Sequence, residues 1–425
     1  MRNNLAHHNL FAVSANNMET AINTEQTLDT TMLIGIDDIL NTDPRRSTNA
    51  GRATGREEPD TIYDLGKLSQ VPLNYDMAQA QHFAFVLAYG LGQVSTAAAG
   101  TGYEHTITPI AGDLDAARSN PSFTGAFRYA YNVFKRRVAS LFIDSFEALF
   151  EADNWVKLSA QAKGTGKIEA NYTEETISAA GNATSLTLAA NSVQGATAQE
   201  RLDSVHRIRV ELASGVWTDV AFSAVSSATP AVITITSPGG TATPVSYKVL
   251  YIPTETGWMT FPARAAETPL RVSEMTLNIG GTWNGSTFSG GRTITSELQT
   301  LKWSFNNNMA IKFVPGAGGA YASVARRGGR SQSITLDREF YEATIQRYID
   351  ANETVGVHIL AQGELYDSTN HYQADILFPS VGAMKAPISA KDGRLSESAE
   401  LQVLEHATYG SVIAKVKNLV ATYAA

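Results

Sequence analysis

The hydrophobic positions between residues 74 and 110 follow first a helical and then a strand-like period. Apolar side chains recur at three- and four-residue spacing, which predicts an amphipathic helix with the stripe Met77, Ala80, Ala84, Leu87, Ala88 and Leu91. Asn74 or Asp76 can cap the start of this helix, and Gly90 with Gly92 can end it. The following segments "QVST" and "YEHTITPI" flank the turn "AAAGTG" and predict a hairpin.

The same order of elements is predicted again near the end of the chain. The stripe of a second helix comprises Phe340, Tyr341, Ile345, Tyr348 and Ile349. Polar residues suited to the amino-terminal turn of this helix precede the stripe at Thr335, Asp337 and Glu339. The arms "TVGVHILAQ" and "YQADILFP" then predict a second hairpin.

The similarity between the two segments extends beyond the helix and the hairpin. A polar loop rich in Gly and Arg precedes each helix, "PRRSTNAGRATGREEPD" in the first segment and "PGAGGAYASVARRGGRSQS" in the second. A long alternating strand follows each hairpin, "FTGAFRYAYNVF" and then "SESAELQVLEHA". We interpret this order as a duplication of one structural unit, with chance similarity of two α+β segments as the alternative.

Between the two segments the composition changes to short β-branched runs separated by turns. Runs such as "HRIRVELASG", "AVITITSPGG" and "SYKVLYIP" recur at regular spacing, which predicts a small antiparallel, immunoglobulin-like β-sandwich. The polar segments "AQAKGTGKIEANYTEE" and "FPARAAETP" at its edges are typical of linkers. We therefore expect a mainly β (α+β) protein with a first unit at residues 1–170, an inserted sandwich at 171–262 and a second unit at 263–425.

The composition narrows the range of partners. Charged residues make up 17% of the 425 residues and hydrophobic ones 43%, a balance more typical of β-rich assembly proteins than of helical enzymes. The net charge of −8 argues against nucleic acid as a tightly bound partner, because phosphate binding needs clustered Lys and Arg. The amino terminus lacks the apolar core of a signal peptide, and the longest apolar run, "FAFVLAYGLG", is too short to span a bilayer. We expect synthesis in the host cytoplasm and no membrane anchor.

No motif in the sequence indicates catalysis, a cofactor or a metal site. There is no cysteine, which excludes disulfides, thiolate ligands and a cysteine nucleophile. The "GTGK" of Gly164 to Lys167 lacks the full spacing of a phosphate-binding loop, and Ile168 stands where that loop needs a hydroxyl. The eight histidines form no His-x-x-x-His pair, and no Gly-x-Ser-x-Gly elbow occurs. We expect a protein that is not an enzyme, with catalysis by residues distant in the sequence as the weakest alternative.

Two arginine clusters in the Gly-rich loops are the most notable charge feature. They comprise Arg45, Arg46, Arg52 and Arg56 in the first loop and Arg326, Arg327 and Arg330 in the second. One interpretation is a solvated loop. Another is a loop that becomes ordered by pairing with carboxylates of a neighbouring subunit, since the guanidinium group suits bidentate contacts. Nucleic acid is the third and weakest interpretation, because the chain is acidic.

The order of elements and several phrases of the sequence resemble the tail tube (major tail) proteins of long-tailed bacteriophages. The phrases are "TAINTEQTLDTTMLIGIDDIL", "FAFVLAYGLG" leading through "GYEHTITP", "WNGSTFSGGRTITSELQTLKWSFNNNM" and "ADILFPSVGAM", and most of residues 23–414 outside the middle sandwich is covered. The resemblance implies a β-sandwich or half-barrel with one flanking helix per tube domain, assembled into stacked rings around a lumen that passes DNA. Two helix–hairpin segments favour members with two tube domains per chain, in which three chains close a pseudo-sixfold ring. A ring of six chains is the alternative.

The resemblance also implies roles for particular residues and partners. Polar strand faces would line the lumen, and the candidates are Glu104, Thr106, Thr108, Ser396, Ser398, Glu400 and Gln402. An acidic lining would repel phosphates, so that DNA slides through without specific binding. The arginine clusters would bridge successive rings, and the sandwich would project outward. The implied location is the tail of the virion, and the implied partners are further copies of the chain with tail tip, tape-measure and terminator proteins.

The main alternative is an adhesin, or another receptor- or carbohydrate-binding protein of a phage or bacterium. A β-rich chain with much Thr, Ser and Gly also describes such binders, particularly with tryptophans at Trp217, Trp258, Trp283 and Trp303. A solvent-exposed aromatic platform would favour this alternative.

Overall fold

A computed structural model describes residues 5–53, 55–111, 118–129, 134–294, 296–314, 320–391 and 393–424. In this part of the chain the protein is mainly β, as the sequence predicts, and its sheets are antiparallel. The helices are α1 (Ala80–Leu91), α2 (Ala198–Asp203) and α3 (Thr344–Asp350). Short 3-10 helices occur at Ala6–His8, Gly257–Met259 and Val272–Glu274.

The strands are numbered along the chain. The first ten are β1 (Leu10–Val13), β2 (Thr30–Met32), β3 (Asn41–Thr48), β4 (Ile62–Tyr75), β5 (Gly92–Ala99), β6 (Gly102–Pro109), β7 (Phe123–Tyr129), β8 (Phe134–Glu151), β9 (Lys157–Gly164) and β10 (Ile168–Ala170). The next seven are β11 (Thr173–Ala180), β12 (Ser185–Thr187), β13 (Val205–Ala213), β14 (Val216–Asp219), β15 (Phe222–Val225), β16 (Val232–Ile235) and β17 (Pro244–Tyr251). The remainder are β18 (Met275–Trp283), β19 (Phe288–Ile294), β20 (Leu298–Asn306), β21 (Ala310–Lys312), β22 (Val324–Arg326), β23 (Ser331–Glu339), β24 (Thr354–Leu365), β25 (His371–Lys385), β26 (Ile388–Lys391), β27 (Arg394–Val403) and β28 (Ile413–Asn418).

The chain divides by its internal contacts into two compact units. The smaller unit comprises Met1–Asn9, Ala126–Arg137 and Ile168–Phe261, and the larger one comprises Leu10–Gly125, Val138–Lys167 and Pro262–Ala425. Both helix–hairpin segments therefore lie in the larger unit.

The smaller unit is an antiparallel β-sandwich. One sheet has the order β11–β17–β13–β14 and the other the order β12–β16–β15. The two sheets share one core, in which Ile208 and Val249 of the first pack with Val225 and Ile233 of the second. Branched apolar residues suit such half-buried strands, and the predicted short runs form them.

The first sheet of the larger unit has the strand order β3–β4–β9–β8–β20–β23–β27. Most of its strands alternate between two faces. In β20, Leu301, Trp303 and Phe305 are buried, whereas Lys302 and Ser304 between them are half-buried. One face of this sheet therefore packs on the core and the opposite face is polar.

The second sheet of the larger unit has the order β5–β6–β28–β25–β24–β18–β19. Strand β25 belongs to both sheets, because from Val381 onward it pairs with β27. The order strand, helix, hairpin occurs twice, as β4–α1–β5–β6 and as β23–α3–β24–β25.

Helix α1 is buried along its entire length. All 12 residues from Ala80 to Leu91 are buried, including the polar Gln81 and His82, and the helix packs against β6 and β28. A capping box between Gln79 and His82 closes its amino terminus. Gly92, with φ 98°, forms the left-handed cap at the other end, where a side chain would be strained.

The predicted stripe of α1 is confirmed from Ala80 to Leu91, but Met77 precedes the helix and is exposed. The cap is Gln79 rather than Asn74 or Asp76, and Gly90 lies within the helix rather than at its end. The sequence does not predict the burial of the polar side of the helix.

The second predicted helix corresponds to α3, which is shorter than the predicted apolar stripe. It spans Thr344–Asp350, while Thr335, Asp337 and Glu339 lie in β23 rather than in a helical turn. These polar residues alternate with buried ones such as Ile334, and β23 is paired on both sides, with β20 and β27. The alternation of polar and buried residues in this segment is that of a strand, so the prediction of a helical start was wrong.

Two segments that the sequence assigns to loops and linkers are also strands. The first Gly/Arg-rich loop forms much of the β3–β4 hairpin, and the first expected linker contains the end of β9, all of β10 and the start of β11. In β9 the small residues Ala160 and Ala162 face the core, which the polar composition of the segment conceals. The predicted strand "FTGAFRYAYNVF" forms β7 as far as Tyr129. Residues 130–133 lie outside the described residues, as do 315–319 of the second Gly/Arg-rich loop.

Candidate functional site: the polar face of the first sheet

A row of polar side chains runs across six strands of the first sheet. Directly opposed residues of β4, β9, β8, β20, β23 and β27 are, in that order, Asn74, Ser159, Glu147, Ser304, Ser333 and Gln402. Opposed residues of neighbouring strands point to the same side of a sheet. All six side chains therefore lie on the face that is turned away from the core.

A second row lies beside the first and widens the polar surface. It consists of Pro72, Gln161, Ser145, Asn306 and Ser331. The two rows line a shallow trough of about 680 Å³. Hydroxyl and amide groups dominate this lining, and Glu147 and Glu400 are its two carboxylates.

Three of the carboxylates on this face are paired with lysines. The Nζ to carboxylate distances are 2.9 Å for Lys302 with Glu147, 3.2 Å for Lys157 with Glu151, and 2.6 Å for Lys385 with Glu400. These pairs leave the face with less net charge than an acidic lining has. The sequence predicts an acidic lining because it shows the carboxylates of each strand by itself. The lysines that pair with these carboxylates lie on neighbouring strands, and only the fold brings them together.

As far as the structure describes the chain, the polar face offers hydrogen bonds but no cluster of unpaired cations. A polyanion is held on a protein surface mainly by grouped Lys and Arg, so this face can contact one without binding it tightly. Among the residues that the structure describes, no group of three or more His, Asp or Glu side chains is placed to bind a metal ion.

The structure places four of the predicted lumen residues on this face. They lie on β27 at Ser396, Ser398, Glu400 and Gln402, and they oppose Glu339, Asp337, Thr335 and Ser333 of β23. Glu400 and Gln402 line the trough. The alternation with buried Ala399 and Leu401 fixes the side on which all four lie.

The other three predicted lumen residues lie elsewhere. Glu104, Thr106 and Thr108 belong to β6 in the second sheet, because β6 pairs with β5 and β28. The carboxylate of Glu104 lies 3.5 Å from Lys417 Nζ on β28. The three residues are half-buried and alternate with buried His105. The structure therefore does not bring them together with the four residues of β27.

The first arginine cluster lies on the exposed β3–β4 hairpin. Every residue of β3 is exposed, including Arg45 and Arg46. Arg46 lies 3.9 Å from Asp64 and Arg56 lies 3.5 Å from Asp60, so these carboxylates belong to the same hairpin. Such exposed pairs contribute little to stability, and the guanidinium groups stay accessible to another molecule. Arg52 lies over the ring of Tyr63, 5.8 Å from its centroid.

The second arginine cluster is integrated into the fold. Arg326 lies in β22 opposite Ala310 of β21. The Arg327 backbone N–H donates to Ser119 Oγ at 2.7 Å, and the Arg327 guanidinium donates to the Ile110 carbonyl at 3.4 Å. Burial lowers the pKa of Arg327. This environment differs from the expected loose loop.

Arg330 binds the carboxyl-terminal end of α1. Its guanidinium donates to the Leu91 carbonyl at 3.4 Å and to Asn307 Oδ1 at 3.3 Å. The Asn307 side chain in turn donates to the Gly90 carbonyl at 2.8 Å. A cation at this position stabilises the last carbonyls of a helix, which lack partners within the helix. Burial, followed by the nearby charge of Arg327, lowers the pKa of Arg330 to about 10.

Both lateral ends of the first sheet carry strand edges without a partner among the described residues. Strand β3 pairs only with β4, and β26 pairs only with β27. Pro72 of β4 lies beyond the end of β3 and has no N–H to donate, as is common on edge strands. Unpaired edges of this kind can pair with a strand of another chain.

Apolar side chains are exposed beside both edges. On the β3–β4 hairpin, Ile62 is 67% exposed and Leu65 is 61% exposed. At the other end of the sheet, Met384 is 65% exposed and Ile388 is 43% exposed. These exposed apolar groups lie beside the two strand edges that are available for pairing.

Sequence reasoning did not identify most residues of the polar row. Asn74 is predicted as a helix cap, and Ser159, Glu147, Ser304 and Ser333 are not among the predicted site residues. The strict alternation of "KLSAQAKG" around Ser159 and of "LKWSFN" around Ser304 is the signal that marks these segments as strands with one polar face.

Comparison with known proteins leaves the chain without an assigned family. No protein-family model matches it, and no curated protein shows significant sequence similarity to it. None of the helices in the described part of the chain combines the length and the hydropathy needed to cross a bilayer.

Proposed function

We propose that this chain is a structural subunit of a phage tail tube. In this proposal, copies join edge to edge into a ring, rings stack, and the polar faces of the first sheets line a central channel. One observation carries it: a sheet has a polar row across six strands, an apolar core side and, at both ends, edges without a partner among the described residues. In a closed ring of identical copies every such edge finds a partner.

The chemistry of the polar face suits a channel for DNA. Hydroxyl and amide groups exchange hydrogen bonds with water at little cost, and the lysines are occupied by carboxylates. Phosphates therefore meet no cluster of free cations that would hold them. The pairing of charges therefore supports the passage of DNA without specific binding. The sequence alone suggests a different cause, the repulsion of phosphates by an acidic lining.

The width of the sheet favours three chains per ring. Seven strands from β3 to β27, about 4.8 Å apart, make a sheet roughly 34 Å wide. Three copies tilted by about 40° then close a circumference of roughly 130 Å and a bore roughly 40 Å across. Six copies double the bore, which is wider than one double helix requires. The repeated order of strand, helix and hairpin also suits three chains acting as six similar units.

The rival function as an adhesin receives less support. Trp303 is fully buried, and none of the large hydrophobic residues exposed in the described part of the chain is a tryptophan. The tryptophans therefore supply no exposed aromatic platform of the kind that would favour an adhesin.

Negative-stain electron microscopy of the purified protein tests the proposal. We expect rings or hollow rods, and class averages with three chains per ring. A protein that stays monomeric at high concentration in sedimentation velocity, with no rings on the grid, would overturn the proposal. Rings of six chains would keep the function and correct the stoichiometry.

A further inference from the structure

The exposed side of the second sheet contains a small pocket that has no part in the polar face. It has a volume of about 240 Å³ and lies between the β18–β19 turn and strands β24, β25 and β28. Its lining combines two aromatic rings, Trp283 and Phe288, with the charged or polar side chains His358, Asp375 and Lys415. A pocket of this size encloses one small ring rather than an extended ligand.

Phe288 supplies a flat apolar surface that is fixed in place. Its ring lies over the opposed glycines Gly281 and Gly356, where a Cβ on Gly356 would come within 2.8 Å of it and one on Gly281 closer still. The ring also lies 5.3 Å from the imidazole of His358. Two glycines thus leave the space that allows an aromatic ring to lie close to the sheet.

The acceptor in the pocket is the carboxylate of Asp375. Its Oδ1 accepts a hydrogen bond of 2.7 Å from His358 Nε2, which fixes the orientation of the carboxylate. Oδ2 has no hydrogen-bond partner among the described residues and retains its capacity to accept.

The donors in the pocket are also available to a ligand. Lys415 lies directly opposite Asp375 in the β25–β28 register, and its ammonium group lies 5.4 Å from the centroid of the Trp283 ring. Within the described residues Lys415 forms no ion pair. The indole N–H of Trp283 is buried and has no hydrogen-bond partner there either. An unpaired cation beside an unpartnered donor favours an anionic group on the ligand.

The β18–β19 turn forms a rigid wall of the pocket. Oδ1 of Asn284 accepts hydrogen bonds from the backbone N–H groups of Ser286 and Thr287, at 2.9 and 2.8 Å. Asn284 Nδ2 donates to Thr287 Oγ1 at 2.9 Å. These contacts fix the backbone that carries Ser286 and Thr287, both of which line the pocket.

We propose that this pocket binds a single carboxylate-bearing pyranose, such as a uronic acid residue of a surface polysaccharide. The apolar face of the sugar ring stacks on Phe288, Asp375 accepts hydrogen bonds from its hydroxyl groups, and Lys415 pairs with its carboxylate. A flat ring with hydroxyls and one negative charge matches the aromatic surface, the oriented acceptor and the unpaired cation together. Binding at this site does not depend on assembly, because none of these residues belongs to the polar face.

Titration of the full-length protein with methyl β-glucuronide, followed by NMR or calorimetry, tests this assignment. Methyl β-glucoside and inorganic phosphate serve as the neutral and the purely anionic comparison ligands. We expect saturable binding of the glucuronide, about tenfold tighter than that of the glucoside, and no saturation by phosphate at the same concentrations.

Three variants locate the site. Lys415→Met keeps the aliphatic stem over Trp283 and should reduce glucuronide affinity about tenfold, to the level of the glucoside. Asp375→Asn should weaken both sugars. Lys417→Met is the matched control on the same face of β28, where the lysine is already paired with Glu104, and it should leave both affinities unchanged.

The proposal is overturned if the glucuronide does not saturate, if phosphate binds as tightly, or if Lys415→Met and Lys417→Met have equal effects. Electron microscopy of Lys415→Met separates this outcome from the proposed function. Rings that form normally while sugar binding is lost support both proposals, and sugar binding by a protein that never forms rings contradicts only the tube.

Discussion

His82 lies in the first turn of α1 with its imidazole almost completely enclosed. Nδ1 accepts a hydrogen bond of 3.2 Å from the Gln79 N–H, and the ring stacks on Tyr75 with a centroid distance of 4.0 Å. Burial lowers the pKa of His82 to about 3, because a charged imidazolium would lose its hydration there. The folded chain therefore keeps this histidine neutral at pH values where an unfolded chain protonates it.

We predict that acid destabilises the larger unit through His82. From about pH 6.5 down to about pH 3 only the unfolded chain binds this proton, so the free energy of unfolding falls by up to ~1.4 kcal/mol per pH unit. Urea unfolding at pH 7.5 and at pH 5.0 should show that His82→Asn loses about 2 kcal/mol less than the wild type over this interval. The exposed His7→Asn serves as control and should behave like the wild type. Equal acid sensitivity of all three proteins would contradict the prediction.

The two arginine clusters should respond differently to truncation. Arg330→Ala leaves Asn307 Oδ1 without its donor and removes the guanidinium from the Leu91 carbonyl, which keeps the hydrogen bond from the Ile110 N–H. It should lower the free energy of unfolding by about 1–3 kcal/mol. Arg46→Ala removes only an exposed pair and should change stability by less than about 0.5 kcal/mol. Urea unfolding measures both. If Arg46→Ala also leaves rod length unchanged in electron microscopy, the β3–β4 arginine does not bridge rings.

At the scale of elements, strands β23 and β27 are joined by a fully buried ion pair. Arg338 Nε lies 2.7 Å from Glu397 Oε2, and both side chains are inaccessible to solvent. The Glu397 carboxylate also accepts a hydrogen bond of 2.9 Å from Gln346 of α3, and Arg338 donates to the Glu342 carbonyl at 3.1 Å. The pair therefore connects the first sheet to α3 and to the segment that precedes it.

We predict that breaking this pair on one side is more harmful than replacing it entirely. Glu397→Ala leaves a buried guanidinium without its counter-charge and should cost about 3–5 kcal/mol in thermal or urea unfolding. The double variant Arg338→Met with Glu397→Leu should recover most of that loss. Lys385→Ala breaks a largely exposed pair with Glu400 and should cost less than about 1 kcal/mol. A double variant as unstable as Glu397→Ala would contradict this account.

Elements with a sustained period could be predicted from the sequence. The α1 stripe, the two hairpins and most sandwich strands follow from local alternation. The polar row was less accessible, because it joins β4 to β27 through strands far apart in the chain and only the register aligns them. The same holds for Lys302 and Glu147, whose pairing depends on β8 lying beside β20. Glu104 lies in a strand whose polar and buried residues alternate, as they do in the strand that carries Glu400. Only the strand pairing shows that Glu104 belongs to the other sheet.

At the scale of the whole molecule, the exposed apolar residues at the sheet ends give a test of assembly. We predict that Ile62→Lys combined with Leu65→Lys reduces ring formation at least tenfold, because charges on the β3–β4 hairpin oppose edge pairing between copies. Size-exclusion chromatography with light scattering measures the ring fraction. Leu212→Lys, which changes an exposed leucine of the sandwich, serves as control and should assemble normally. Full assembly of the double variant would exclude this end of the sheet from the subunit contact.

The short edge strand β26 gives the proposed assembly a further property. Because an edge strand offers its backbone N–H and C=O groups for pairing, we expect recognition there to depend on extended geometry more than on residue identity. A free peptide with the sequence of β3, Asn41–Thr48, should then compete with the next copy and act as a chain terminator, capping growing oligomers at substoichiometric doses. Sensitivity to such a short mimic would make this junction a target for inhibition by small extended peptides.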